Sequence, residues 1–203
     1  MKEVVKRMKL ETINIFPTEV KVFQFNIPQI QPLVDEVLSN KKKIKKRSEI
    51  YSDHGGVGDS EYITDFKNPI QLHEFEKLMM IVGSYFAPQN KFFHVNYYWT
   101  AFYGSNVLHD THIHGNFNDG KKLTHNFSSV LYLTENGGTT FYSPNLTSNV
   151  DDYLIKSEVG KFIMFPHNLF HNGNNRAEMH GGENQNRIII SANIELFENE
   201  NGA

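Results

Sequence analysis

Cysteine is absent from this 203-residue chain. Disulfides, thiolate metal sites and cysteine nucleophiles are thereby excluded, and any bound metal falls to histidine and carboxylate. Positive charge is not in excess either. Twenty Lys and Arg stand against 23 Asp and Glu, a formal net charge of −3, so the basic field that nucleic-acid binding draws on is missing. The one basic run, Lys41-Lys42-Lys43-Ile44-Lys45-Lys46-Arg47, is local and reads as a solvated loop or helix end. No apolar run reaches the roughly 18 residues of a membrane span. Met1-Lys2-Glu3-Val4 does not read as the opening of a signal peptide. The expectation is a soluble, cytoplasmic protein with neither membrane nor nucleic acid as partner.

Aromatic residues are plentiful. Sixteen Phe and nine Tyr suit a β-rich interior, and the length allows a single domain, residues 1–203, with a sizeable core. Residues 13–25 alternate apolar and polar side chains as a half-buried strand does. Ile30, Leu33, Val34, Val37 and Leu38 then recur at helical spacing, with Pro28 near the start. Asn68-Pro69 has the composition of a cap and first residue for a second helix, which carries Leu72, Phe75, Met79 and Val82 on one face and ends near Ala87-Pro88. From about residue 91 the period switches to two. Strands are expected at 92–102, 126–133, 137–142, 159–166 and 187–196, with glycine-bearing loops at 52–61 and 172–186. Several short strands with polar connections indicate a sandwich or barrel. The prediction is a mainly β jelly roll over about 91–197, braced by two helices from an N-terminal part over about 1–90.

Three of the ten histidines fall within Leu108-His109-Asp110-Thr111-His112-Ile113-His114-Gly115. In an extended segment Asp110, His112 and His114 project to one face. A His-x-His pair so placed sets two imidazoles beside a common metal ion, although short histidine motifs also occur as solvated loops. A further ligand must come from elsewhere, and Phe165-Pro166-His167-Asn168-Leu169-Phe170-His171, after a strong strand, offers His167 and His171. Arg187 opens the last strand on the face of Ile189, Ser191 and Asn193. An inward arginine is costly unless paired. Its planar fork suits a carboxylate, whether of a ligand or of a structural salt bridge.

In that order, His-x-His, Ser-Ser-Val-Leu-Tyr-Leu, Gly-Gly-Thr-Thr-Phe-Tyr, Gly-Lys-Phe-Ile-Met-Phe-Pro-x4-His and Arg-Ile-Ile-Ile-Ser-Ala-Asn, the chain resembles the iron(II)- and 2-oxoglutarate-dependent oxygenases. It is most similar to a small group found in phages and bacteria, and more distantly to prolyl hydroxylases. Ile15-Phe16-Pro17-Thr18 and Ser52-Asp53-His54-Gly55-Gly56 carry the likeness into the N-terminal part. The resemblance implies a double-stranded β-helix with iron(II) at its open end, 2-oxoglutarate as co-substrate, and hydroxylation of a small-molecule or peptide substrate by O₂ with release of succinate and CO₂. It implies His112 and His171 as ligands, Arg187 on the far carboxylate of 2-oxoglutarate, and Tyr132 and Ser191 as hydrogen-bond partners. No side chain beyond the metal ligands is implied as catalytic. The family pattern has a carboxylate two residues after the first histidine, where His114 stands here. The third ligand is then His114, or Asp110 in reversed order, or it is lost. His109, His125 and His167 stand as further candidates.

Three other readings fit parts of the pattern. Gly160-x5-Pro166-x4-His171-x3-Asn175 resembles the second cupin motif, although the glutamate expected after the first is replaced by Asn116, Phe117 and Asn118. A three-histidine zinc site would support hydrolytic or hydratase chemistry. A structural or sugar-binding jelly roll would leave the histidines incidental.

Overall fold

The computed structural model describes residues 8–15, 18–46, 61–64, 69–103, 111–114, 126–143, 152–174 and 187–198. The expected loops at 52–60 and 175–186, and Asn68, lie outside them. The chain opens with β1 (Lys9–Ile15), β2 (Thr18–Gln24), α1 (Ile27–Ser39), a 3₁₀ turn at Lys41–Lys43, β3 (Lys45–Lys46), β4 (Glu61–Ile63) and α2 (His73–Phe86). There follow β5 (Lys91–Tyr103), β6 (Phe127–Tyr132), β7 (Gly138–Tyr142), β8 (Asp152–Lys156), β9 (Lys161–Pro166), β10 (His171–Asn174) and β11 (Arg187–Glu198). Eight strands form a large antiparallel sheet in the order β1-β2-β9-β6-β11-β5-β4-β3, and three form a small one, β10-β7-β8. This two-sheet arrangement is the expected jelly roll.

The large sheet is buried on both faces. Its outer face, with Phe23, Leu131, Phe162, Ile190, Ala192 and Ile194, packs on Ile30, Leu33 and Val37 of α1 and Phe75, Met79, Val82 and Phe86 of α2. Its inner face, with Val22, Ala101, Val130, Tyr132, Ile163, Phe165 and Ile189, packs on Phe141 and Ile155 of the small sheet. Burial on both faces explains why Ile188-Ile189-Ile190 reads as a continuous apolar run. The two helices brace the sheet as expected.

Several elements depart from the sequence reading. Residues 13–25 take in the end of β1 and all of β2, antiparallel partners and not one strand: Ile15 pairs with Thr18, and the register runs back to Lys9 opposite Gln24. Alternation persists in both strands, so the period alone does not reveal that there are two. The second helix starts at His73, not after Asn68-Pro69, with Leu72 at its N-cap. Its first N–H groups are satisfied from the other helix, His73 and Glu74 each donating to a carboxylate oxygen of Glu36 at 2.8 and 2.9 Å. The first helix caps itself, with Asn26 and Gln29 forming a reciprocal capping box beside the expected Pro28. Four N-terminal strands join the large sheet itself, so this part does more than brace the jelly roll. β10 occupies the start of the stretch expected to be loop, and β8 was not expected.

Candidate metal centre

The small sheet brings the histidines together. His112 forms an antiparallel bridge with His171, its N–H donating to the His171 carbonyl at 2.9 Å and its carbonyl accepting the return bond from the His171 N–H at 3.0 Å. The His114 N–H donates to the His167 carbonyl at 2.8 Å. Residues 111–114 therefore run along the free side of β10, and the two-residue period turns both imidazoles toward the third. The ring centroids of His112, His114 and His171 lie 5.2, 4.6 and 5.0 Å apart in pairs. Their ligand nitrogens all lie within 4.8 Å of one another. Metal–imidazole bonds of about 2.0–2.1 Å need only a small closure of side chains from that spacing. Three neutral nitrogen donors on one side suit a borderline divalent ion such as iron(II), with positions left for other ligands.

His171 is the most buried member of the three. It is buried against Phe165, at 4.7 Å between ring centroids, and Phe141, at 6.2 Å. Its Nδ1 lies 2.8 Å from the Leu169 carbonyl. Because that partner only accepts, Nδ1 carries the proton and Nε2 is left for a metal. His112 and His114 are more open to solvent. The His114 ring stacks with His171, and with Trp99 at 6.3 Å and an inclination of 19°. His167 stays out of the trio; its Nδ1 meets the Asn126 carbonyl at 3.1 Å. Asp110, His109 and His125 lie outside the described residues.

Arg187 is 1% exposed, the largest fully buried side chain among the described residues. Its guanidinium carbon lies 5.5 Å from the Tyr103 ring and 5.7 Å from the Tyr132 ring. Nε is buried without a hydrogen-bond partner, and among the described residues no carboxylate pairs with this arginine. Tyr132 is itself fully buried, its hydroxyl 2.6 Å from Thr139 Oγ1. Burial pushes its phenol up to about 12, the nearby arginine charge opposing that rise. Ser191, also buried, stands between Val130 and Trp99 in the strand register, on the inner face shared with Arg187.

Two contributors carried no sequence signal. A Cβ on Gly173 would lie 2.8 Å from Nη1 of Arg187 and 3.5 Å from Cζ. Glycine thus lets the β10 backbone lie against the guanidinium, yet Asn172-Gly173-Asn174 reads as a polar loop. Trp99 looked like one more aromatic of a long strand; only its being the sole tryptophan set it apart.

No protein-family model matches the chain, and no curated protein matches it in sequence. Solved structures do match. The viral collagen prolyl hydroxylase of Paramecium Bursaria Chlorella virus-1, in its 2-oxoglutarate complex, superposes with a TM-score of 0.56 at 17% identity, over 91% of this chain and 94% of that one. A prolyl-4-hydroxylase of Pseudomonas putida gives 0.55 at 12% identity, over 95% and 97%. HygX of Streptomyces hygroscopicus, with nickel, 2-oxoglutarate and hygromycin B bound, gives 0.54 at 11% identity, over 88% and 83%. The fold is the one these three structures have, two of which hold 2-oxoglutarate, in keeping with the resemblance in the motifs. At such identities the likeness is one of fold.

Proposed function

We propose that the protein is an iron(II)- and 2-oxoglutarate-dependent dioxygenase that hydroxylates a small-molecule or peptide substrate, with His112, His114 and His171 holding the metal. The observation that carries this reading is the pairing of that trio with a buried arginine that has no acidic partner among the described residues. Arg187 abuts Gly173, two residues along β10 from His171. By strand rise that is about 7 Å, a span that a five-carbon dicarboxylate bridges between a metal and a guanidinium.

The residues present fit both groups. Three imidazoles form a neutral donor set, and Arg187 supplies the charge-assisted bonds that a distal carboxylate needs. Tyr132 and Ser191 offer hydroxyls on the same inner face. The Tyr132 phenol keeps its proton at physiological pH, so it can donate to a carboxylate. Phe141, Phe165 and Ile189 exclude water around these groups, which strengthens every polar contact inside. Bound together, iron(II) and 2-oxoglutarate supply an O₂-driven oxidation that yields succinate, CO₂ and a hydroxylated substrate.

Calorimetry under anaerobic conditions tests this. With iron(II) present, 2-oxoglutarate is expected to bind the wild type, to bind at least about tenfold more weakly in Arg187→Leu, as loss of a charged hydrogen bond implies, and not to bind productively in His112→Ala. Succinate should form slowly in air even without a prime substrate. Metal binding with no 2-oxoglutarate response at any concentration would overturn the proposal in favour of a cupin-type protein.

A further inference from the structure

We infer that Trp99 is a positioning residue of the metal centre: its indole, backed by Tyr97 and anchored through Asn193, holds the His114 imidazole in its ligating orientation. This inference rests on the three-histidine reading of the site.

Four rings stand in a column. Tyr97 and Trp99 are 5.7 Å apart and inclined by 27°, Trp99 and His114 6.3 Å and 19°, His114 and His171 5.0 Å and 28°. The separations lie in the range where offset-stacked aromatic pairs attract. The backbone bond from His114 to His167 fixes where the His114 Cα lies, but two side-chain torsions still turn its ring. His171 has its ring locked by the Leu169 carbonyl. For His114 the rings of Trp99 and His171 bear on the plane.

The column is tied down at its far end. Tyr97 is 46% exposed, yet its hydroxyl accepts a bond from Nδ2 of Asn193, which is 1% exposed and directly opposite in the register. The β5–β11 pairing shifts just beyond this point, Asn193 facing Tyr97 and Ile194 facing Val95, so Asn96 is an extra residue on β5. A bulge of this kind re-aims side chains beside it. Here it keeps Tyr97 and Trp99 on the inner face while Val95 and Phe93 turn to the helices. An imidazole ligating a divalent cation becomes electron-poor, and an indole face attracts such a ring more than a neutral one. The stack therefore favours the metal-loaded state over the empty one.

Cobalt(II) binding to the full-length protein tests the inference without any turnover. Trp99→Leu is expected to bind cobalt about two- to tenfold more weakly, the range that one aromatic stack supports, and to shift the visible ligand-field bands. Trp99→Phe should restore both, because it keeps a stacking face. Tyr97→Leu, at the exposed end, should move affinity in the same direction by less. Melting curves without metal separate lost packing from lost positioning. Cobalt should also quench the fluorescence of the wild type, whose sole tryptophan is the ring in question. If the wild type does not bind cobalt, the metal reading fails and this inference with it. If it binds and Trp99→Leu matches it in affinity and spectrum, or Trp99→Phe behaves as Trp99→Leu, the positioning role alone is overturned.

Discussion

At the scale of single residues, charge burial and close approach decide what the site can hold. Arg187 has no solvent into which its guanidinium could swing, and Gly173 is the backbone against which it rests. A methyl group at 173 meets Nη1 at 2.8 Å, so either the β10 backbone or the buried guanidinium must move. Overpacking of this kind costs about 1–3 kcal/mol. Displacing a charged hydrogen-bond donor from its acceptor costs a further about 1.5–3 kcal/mol of binding. Gly173→Ala is therefore expected to fold, to melt a few degrees lower, and to lose about ten- to a hundredfold in 2-oxoglutarate affinity while still binding cobalt. Unchanged 2-oxoglutarate affinity in a folded Gly173→Ala protein would show that the guanidinium is not where that carboxylate is held. The arginine could be picked out from its place at the head of an apolar strand. The glycine could not, because its role lies in a contact between segments and not in its neighbours along the chain.

At the scale of elements, the two helices are joined by a cap that neither contains. Glu36, in the last turn of α1, accepts from the N–H groups of His73 and Glu74 at the start of α2. It satisfies two of the donors that a helix start leaves open and sets a carboxylate against the positive end of that helix. Leu72 has no side chain able to do this. Glu36→Ala should cost about 1–2 kcal/mol, the scale of a lost N-cap, read as a lower urea midpoint with unchanged slope. Glu36→Gln should recover part of it; an unaltered midpoint in the alanine variant would show that solvent serves the helix end equally well. This cap also explains the sequence misreading. Asn68-Pro69 has the chemistry of a helix start, whereas the true start borrows its cap from a residue 37 positions earlier. Long elements such as β5, β9 and β11 were legible because apolar or aromatic residues recur along most of at least one face. β8, edged by solvent, and β10, with sequence His171-Asn172-Gly173-Asn174, were not, since their strand state comes from pairing with β7 and not from their own composition.

At the scale of the whole molecule, the jelly roll is a container whose inner face changes from apolar to polar along its strands. Its candidate donors could be read in advance: with no cysteine, histidine and carboxylate were left, His112, His114 and His171 stood out with Asp110 as the alternative, and the fold brings 112 and 171 across 59 positions into one backbone bridge. The column of rings around them was not legible, because stacking depends on the bulge at Asn96. The same interior sets the alkaline limit of the fold. Tyr132 is buried beside Thr139 and Arg187, and burial raises its phenol to about 12 against an ordinary value near 10. Below pH 10 the phenol is neutral in both folded and unfolded chains, so it contributes no slope. Between about 10 and 12 the unfolded chain releases the proton and the folded one keeps it, so stability falls by up to about 1.4 kcal/mol per pH unit from this group. Tyr97 and Tyr98, also raised by burial, add to the fall. Tyr132→Phe loses the bond to Thr139, about 1 kcal/mol at neutral pH, but removes its share of the alkaline slope. Urea midpoints at pH 8, 10 and 11 should therefore converge between wild type and variant as pH rises. Parallel loss in both proteins would mean that the Tyr132 phenol ionises as readily in the folded interior as in water, and that Arg187 or solvent reaches it more closely than the packing of the two sheets implies.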